Sequence, residues 1–227
     1  MIFLIACGLF LWIIPDTSIL GYGYATLDRY FSMAPWLLML LIPAVTMRSF
    51  ADEFRGGTIE WLSTKPLRDY DIILGKYFAS LALVLFALLP TLIYVVTINN
   101  LSAVENNIDT GGIAGSYIGL IFLAASYTAV GVFCSSITSN QIVAFLVALF
   151  ACYILYSGFE ALSKIPAFTA GIDYYLSMAG MSFHYESISR GVVDTRDVIY
   201  FISIIILFVS LTRLSLGRRT WDTAKQD

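Results

Sequence analysis

The sequence predicts an all-α, polytopic membrane protein that forms a single domain over residues 1–227. Hydrophobic residues make up 59% of the chain and charged residues only 13%, whereas soluble domains carry roughly a quarter charged residues. The apolar residues are gathered in long runs, and a helix of about 20 residues crosses the hydrocarbon core of a bilayer. We therefore expect six transmembrane helices, near residues 1–14, 33–50, 72–98, 113–134, 141–159 and 198–216.

The first predicted span is shorter than a bilayer requires. Its apolar run, Ile2 to Ile14, has 13 residues, which give about 20 Å of helix, and the hydrocarbon core is about 30 Å thick. Either the start of this helix lies upstream of Met1, or the run does not cross completely. We expect a truncated first helix.

Prolines mark the second and third spans. Residues 15–32 are predicted to form a loop, and Pro35 fits the first turn of the helix that follows, where its missing N–H costs nothing. Pro43 in the second span and Pro90 in the third are interior, and interior prolines kink helices.

The fourth and fifth spans share one uncharged run, from Thr110 to Phe159. As a single helix this run would be about 75 Å long, more than twice the thickness of the hydrocarbon core. The chain must turn, and residues 135–141 provide the only polar interruption. This turn separates the spans at 113–134 and 141–159.

Three glycines recur every fourth residue at the start of the fourth span: Gly111, Gly115 and Gly119. This spacing places small residues on one helix face and allows another backbone to approach closely. The stripe packs either against another helix of the same chain or against a second subunit.

Residues 160–197 form a polar and aromatic segment that we place on the extracytoplasmic side. A short helix is expected over Ser182 to Arg190, with Gly191 as its stop, and Asp194 is expected to cap the last span. His184 is the only histidine; we expect ordinary hydrogen bonds from it. The three cysteines lack metal-ligand spacing, so no metal site is predicted.

The distribution of basic residues predicts the topology. The 13 Lys and Arg residues fall mainly between the second and third spans and at the C-terminal end, and Lys and Arg near spans mark the cytoplasmic side. The segment 51–71, which we call the elbow, is therefore predicted to be cytoplasmic, as are both termini. The expected location is the bacterial inner membrane, in contact with its lipids.

Composition and motifs exclude several functions. The net charge of −3 gives no basic patch for nucleic acid. The spans are nearly free of ionisable side chains, which disfavours proton- or sodium-coupled transport. Gly75-Lys76 is not a phosphate-binding loop, because Tyr70 replaces the required glycine and Tyr77 the required Ser or Thr. No directly bound cofactor is predicted.

The elbow carries apolar side chains on a charged segment. Ile59, Trp61 and Leu62 would be unfavourably exposed unless a partner covers them; alternatively, Trp61 lies in the headgroup region as an aromatic anchor. Gly56-Gly57 is predicted to break the chain, Thr58 to cap a short helix, and Pro66 to follow the end of that helix. Glu53 and Glu60 are expected to pair with Arg55 or with basic residues of a partner.

Several of these residues together resemble the signature of ABC-2-type transporter permeases: Glu53, Gly57, Thr58, Glu60, Leu62, Pro66, Gly75 and Lys76. The pattern of His184, Arg190-Gly191, Asp194 and Arg196-Asp197 before the last span is similar to the same family. The strings MRSFADE, LGKYFASL, NNIDTGGIAGSYIGL and NQIVAF resemble its gliding-motility-associated members from Bacteroidetes.

The resemblance implies a transport subunit with six membrane helices that works as a homodimer or heterodimer with a second permease. It also implies a separate cytoplasmic ABC ATPase subunit, which holds the ATP and Mg. The coupling helix of the family maps onto Glu53 to Pro66, so that the implied ATPase-coupling residues are Glu53, Gly57, Thr58, Ile59, Glu60, Trp61, Leu62 and Pro66. Family members normally have an interfacial helix before the first span, which agrees with a truncated start here.

Two alternatives remain open at this point. One is a non-transporting ABC-type assembly factor that uses ATP-driven motion. The other is a membrane channel or scaffold that is independent of any ATPase.

Overall fold

The chain folds into helices throughout the part that the structure describes. The computed structural model describes residues 2–14, 26–58, 68–101, 109–165, 171 and 173–223, and these ranges contain no strand. The helices are α1 (Ile2–Trp12), α2 (Asp28–Thr46), α3 (Ala51–Gly56), α4 (Asp69–Leu88), α5 (Leu92–Leu101), α6 (Thr110–Ile137), α7 (Gln141–Tyr153), α8 (Phe159–Ser163), α9 (Asp173–Met178), α10 (Met181–Ser189) and α11 (Thr195–Thr223). The all-α prediction is confirmed.

Five helical stretches within these ranges are long and apolar enough to cross a membrane. They are Asp28–Gly56, Asp69–Asn100, Thr110–Ile137, Gln141–Ser163 and Thr195–Gly217. They correspond to the second to sixth predicted spans, so a polytopic membrane protein is confirmed. The shorter apolar helix Phe3–Trp12 corresponds to the first span, and its crossing stays a prediction.

Helix α6 is the centre of the bundle. In the most apolar stretch of α6, 78% of the residues are buried, whereas in the most apolar stretch of α11 only 17% are buried. The other helices therefore pack around α6. Small side chains permit this close packing. A Cβ atom placed on Gly131 would overlap the side chain of Thr46 in α2, which shows how near the two backbones lie.

Helix α2 begins earlier than the sequence predicts, at Asp28 rather than Met33. Pro35 is consequently not in the first turn but in the helix interior, where it cannot donate a hydrogen bond to the carbonyl of Phe31. The hydroxyl of Tyr185 donates to that carbonyl instead, at 2.8 Å. A side chain from α10 thus replaces the helical bond that Pro35 removes, which is why the helix continues through the proline.

The other boundaries lie close to the predicted ones. A 3-10 turn, Leu89–Thr91, separates α4 from α5 at Pro90, where a kink was expected. Residues 138–140 connect α6 to α7, within the expected turn. A π-helical segment, Ile154–Gly158, joins α7 to α8 and was not anticipated.

The segment predicted to be extracytoplasmic, residues 160–197, agrees in part with the helix boundaries expected for it. Helix α10 ends before Gly191, whose φ is 88°, a left-handed conformation that suits glycine. The carboxylate of Asp194 accepts a hydrogen bond from the Arg196 amide at 3.0 Å and so caps α11. Helix α9 was not foreseen.

The antiparallel packing gives the bundle two ends. The elbow end contains residues 47–58, the start of α4, the end of α6, the start of α7 and the end of α11. The distal end contains the starts of α2, α6 and α11 together with α8, α9 and α10. A small apolar core lies beneath the elbow end and is formed by Phe50, Ile73, Tyr77, Ala129, Val132 and Val209.

Candidate functional site

The candidate site is the place where helix α3, the first helix of the elbow, is attached to the membrane-spanning helices. We call this place the root of the elbow. Glu53 in α3 and Lys76 in α4 form an ion pair, with 2.5 Å between Oε1 and Nζ and side chains only 28% and 20% exposed. Lys76 also donates to the carbonyl of Ser49 and lies 4.7 Å above the ring centroid of Phe50. One ammonium group therefore holds both the turn before α3 and the first half of α3.

This pairing differs from the sequence expectation for Glu53, which proposed Arg55 or a basic residue of a partner. Residues two apart on a helix do not face each other, so Glu53 and Arg55 point in different directions. Lys76 is 23 residues away in sequence, and only the fold of the bundle brings it near. Within the described part of the chain, the second carboxylate oxygen of Glu53 is buried without a hydrogen-bond partner.

Ser135 anchors the start of α3 to the end of α6. Its hydroxyl oxygen accepts hydrogen bonds from the amides of Phe50, at 3.0 Å, and Ala51, at 3.1 Å. The same hydroxyl donates to the carbonyl of Met47 at 3.0 Å. The first amides of a helix have no partner within it, and Phe50 offers no local side-chain cap. Ser135 therefore caps α3 from another helix.

A third contact joins α3 to α7. The side-chain amide of Gln141, the first residue of α7, donates to the carboxylate of Asp52. The preceding residue, Asn140, caps α7 through a 3.0 Å bond from the Ile142 amide to its side chain. Polar side chains thus connect α3 to three membrane-spanning helices: α4, α6 and α7.

Helix α3 ends at the predicted glycine pair. Gly57 has a φ of 65°, and the amide of Thr58 donates to the carbonyl of Glu53 at 3.0 Å. The hydroxyl of Thr58 points to the same carbonyl at 3.5 Å, so Thr58 closes the helix before it. Of the predicted coupling residues, Ile59, Glu60, Trp61, Leu62 and Pro66 lie outside the described residues.

The chain re-enters the bundle at α4. The carboxylate of Asp71 accepts a hydrogen bond from the Arg68 amide at 3.2 Å, and Asp69 lies in the first turn, where negative charge is favourable. The guanidinium group of Arg213 lies over the ring of Tyr70, with 4.6 Å between Cζ and the ring centroid. This contact, with a hydrogen bond from Arg213 to the Tyr70 hydroxyl at 3.3 Å, packs α11 onto α4.

Sequence reasoning missed three of the residues at this root and the partner of a fourth. Lys76 was singled out as part of a motif, but its partner was not identified; Asp52, Ser135 and Gln141 were counted only as polar residues. The sequence contains only a weak indication of the role of Ser135 and Gln141, which is that both lie in the one polar interruption of an uncharged run.

At the distal end, the glycine stripe packs against α10 of the same chain. A Cβ atom on Gly115 would overlap the carbonyl of Ile188 and lie 2.8 Å from Cα of Gly191. A Cβ atom on Gly119 would lie 3.1 Å from the ring of Tyr185. Gly111 lies next to Gly191. A Cβ atom on Gly191 would lie 2.9 Å from the carbonyl carbon of Gly111.

His184 makes two hydrogen-bond contacts in this region. Its Nδ1 is 2.7 Å from Oδ1 of Asp197, and its Nε2 is 2.9 Å from the carbonyl oxygen of Met178. Its ring stacks on Tyr200 at 3.9 Å. Among the described residues no cluster of His, Cys, Asp and Glu could hold a metal ion, and the contacts of His184 connect α10 to α11.

Comparison with known proteins identifies the family. The family model for ABC-2 family transporter proteins matches residues 16–170, which is more than half of the chain and includes the whole elbow. Among curated proteins, no sequence matches the chain. The chain belongs to the ABC-2 transporter family and is a multi-pass permease component of an ABC transporter.

Proposed function

We propose that this chain is the membrane-spanning subunit of an ATP-driven, exporter-type ABC complex, and that its elbow receives the motion of a separate ATPase subunit. The family membership supplies the class of protein. The chain has no phosphate-binding loop of its own, so ATP and Mg belong on the partner. The energy for transport must then enter through a contact surface.

The anchoring of α3 is the observation that carries this proposal. Force applied to the elbow beyond Gly57 reaches α3 first, and α3 is bonded to α4 through Lys76, to α6 through Ser135 and to α7 through Gln141. A flexible loop would absorb such a displacement. A helix fixed to three spans transmits it, because packed cores respond as rigid bodies.

The apolar residues of the elbow supply the proposed contact with the ATPase. Ile59, Trp61 and Leu62 follow directly on the left-handed turn at Gly57. Burying one large apolar side chain contributes about 1.5–3 kcal/mol, so three such side chains would contribute strongly to a contact with a partner. Glu53, Gly57, Thr58, Glu60 and Pro66 complete the proposed coupling segment.

The proposed orientation places the elbow and both termini in the cytoplasm of a bacterial cell, with the protein in the inner membrane. Arg48, Arg55 and Lys76 lie at the elbow end of the bundle together with Arg213, and basic residues near spans mark the cytoplasmic side. An ATPase in the cytoplasm reaches the elbow only in this orientation.

We further propose that the chain pairs with a second permease, as a homodimer or heterodimer, and acts in gliding motility. The support is the resemblance of its strings MRSFADE and NNIDTGGIAGSYIGL to gliding-motility-associated permeases. The experiment for this part is deletion of the gene in a gliding host, with spreading on agar as the measurement.

The ATPase contact is tested by changing Ile59, Trp61 and Leu62 together to Asp in a tagged chain purified from its native membrane. We expect the variant to insert normally but to lose the ATPase that co-purifies with the unchanged chain. The matched control changes Val192 and Val193, which are exposed at the distal end, to Asp. Undiminished ATPase binding and activity in the triple variant would contradict the proposal.

A further inference from the structure

A cavity lies at the distal end of the bundle, away from the elbow. It is an open cavity of about 300 Å³, lined by residues of α2, α6, α10 and the π-helical segment with α8. Three carboxylates line it: Asp28, Glu160 and Glu186. In the described part of the chain, only Glu160 has a basic partner, Lys164, at 2.6 Å. The cavity therefore carries an excess of negative charge.

Aromatic rings form the other walls of this cavity. Trp36 and Tyr156 meet edge to face, with 5.6 Å between ring centroids, and Phe31 and Tyr185 also line the space. Burial raises the pKa of Tyr185, so its hydroxyl stays protonated and keeps its bond to the Phe31 carbonyl. Aromatic faces beside carboxylates attract organic cations, because the ring quadrupole is negative above the plane.

One polar group in the cavity wall has no partner in the described part of the chain. Ser182, in the first turn of α10, is 3% exposed and lines the cavity, yet no hydrogen bond to its hydroxyl is formed. The residue is buried but lines the cavity, so a ligand with a hydroxyl or amine group would bond its hydroxyl. The wall also contains Tyr156 and Ser157 of the π-helical segment, and π-bulges are frequent at functional sites.

We propose that this cavity binds an organic ammonium group on a small body, with Asp28 and Glu186 facing the charge and Ser182 bonding a neighbouring polar atom. Anions are excluded by the carboxylates. A neutral ligand of the same size has neither the electrostatic attraction to the carboxylates nor the cation–π attraction to the aromatic rings. The ammonium belongs either to a lipid headgroup or to a free amine, and the chemistry is the same for both. The inference does not depend on the ATPase contact.

Trp36 serves as the probe, because it lines the cavity. In a chain with Trp12, Trp61 and Trp221 changed to Phe, only the Trp36 fluorescence remains. The protein is placed in nanodiscs of phosphatidylglycerol and titrated with ethanolamine, ethylamine, choline and, as the neutral control, glycerol. We expect a saturable change with the amines and none with glycerol.

Variants locate the binding. Glu186→Gln is expected to weaken amine binding about tenfold, since it removes one charge-assisted interaction. Asp173→Asn is the matched control, because Asp173 lies at the same end but does not line the cavity. Ser182→Ala is expected to weaken binding of ethanolamine but not of ethylamine, which has no hydroxyl. Folding of each variant is checked by its size-exclusion profile.

A second set of nanodiscs contains phosphatidylethanolamine and distinguishes the two sources of the amine. If this lipid abolishes the response to free ethanolamine, the ligand is a headgroup; if the response is unchanged, the ligand is a free amine. Both results support the site. The proposal is overturned if no amine gives a saturable change, if glycerol gives the same change, or if Glu186→Gln binds as tightly as the parent.

Discussion

Nζ of Lys76 lies 2.5 Å from Oε1 of Glu53 and joins the first helix of the elbow to the span that follows it. The two side chains are mostly shielded, at 20% and 28% exposure, so solvent screens the pair less than it screens a surface pair. The same ammonium group bonds the carbonyl of Ser49. Lys76 is therefore one of the three side chains that fix α3 to the bundle, beside Ser135 and Gln141.

Replacing Lys76 with Met should destabilise the protein by about 1–2 kcal/mol, between the values for exposed and fully buried pairs. The variants Lys76→Met, Glu53→Gln and the double variant form a double-mutant cycle, measured by thermal unfolding in detergent. We expect a coupling free energy of about 1 kcal/mol.

The exposed pair Glu160–Lys164 is the matched control for this cycle. Its side chains are 39% and 72% exposed, and solvent screening should make its coupling too small to measure. A cycle at Glu53 and Lys76 with no coupling would show that the elbow is not fixed through this pair.

Ser135→Ala should loosen the start of α3. The amides of Phe50 and Ala51 would lose their acceptor, and an unsatisfied buried amide costs about 1–3 kcal/mol. Hydrogen exchange of residues 50–56 should become faster, while exchange in α7 stays the same.

Ser136→Ala is the control for this substitution. Ser136 is equally buried, but its hydroxyl donates within its own helix, to the carbonyl of Phe133. Equal acceleration of exchange in both variants would mean that Ser135 does not cap α3.

Long apolar helices lie where the sequence predicted the second to sixth spans, because the signals for such helices are local. The uncharged run from Thr110 to Phe159 is too long for one helix, and this alone required the turn that the structure has at residues 138–140. Gly57, Gly191 and Asp194 were identified because left-handed glycines and helix caps depend only on neighbouring residues.

The contacts at the root of the elbow were not predictable in this way. Glu53 and Lys76 are 23 residues apart, and Phe50 and Ser135 are 85 apart. Their meeting depends on the packing of α2 and α4 around α6. The early start of α2 was missed for the same reason, since the bond that replaces the Pro35 N–H comes from Tyr185 in α10.

Gly115→Ala should destabilise the distal end. The added methyl group would overlap the carbonyl of Ile188, which is backbone and cannot rotate away, and overpacking costs about 1–3 kcal/mol. Gly75→Ala is the matched control, because its Cβ would meet no atom within 4 Å. The melting temperature in detergent should fall for the first variant and not for the second; an equal response would mean that α10 does not rest on this glycine.

The pair formed by His184 and Asp197 should hold α10 on α11. His184→Phe keeps an aromatic ring to stack on Tyr200 but leaves the carboxylate of Asp197, only 6% exposed, without its partner. Leaving a buried polar group without its hydrogen-bond partner costs about 1–3 kcal/mol, and more for a charged group, so a fall in melting temperature is expected. Adding Asp197→Asn removes the uncompensated charge and should restore part of the lost stability. If the double variant is less stable than His184→Phe alone, the destabilisation comes from lost packing rather than from the unpaired carboxylate.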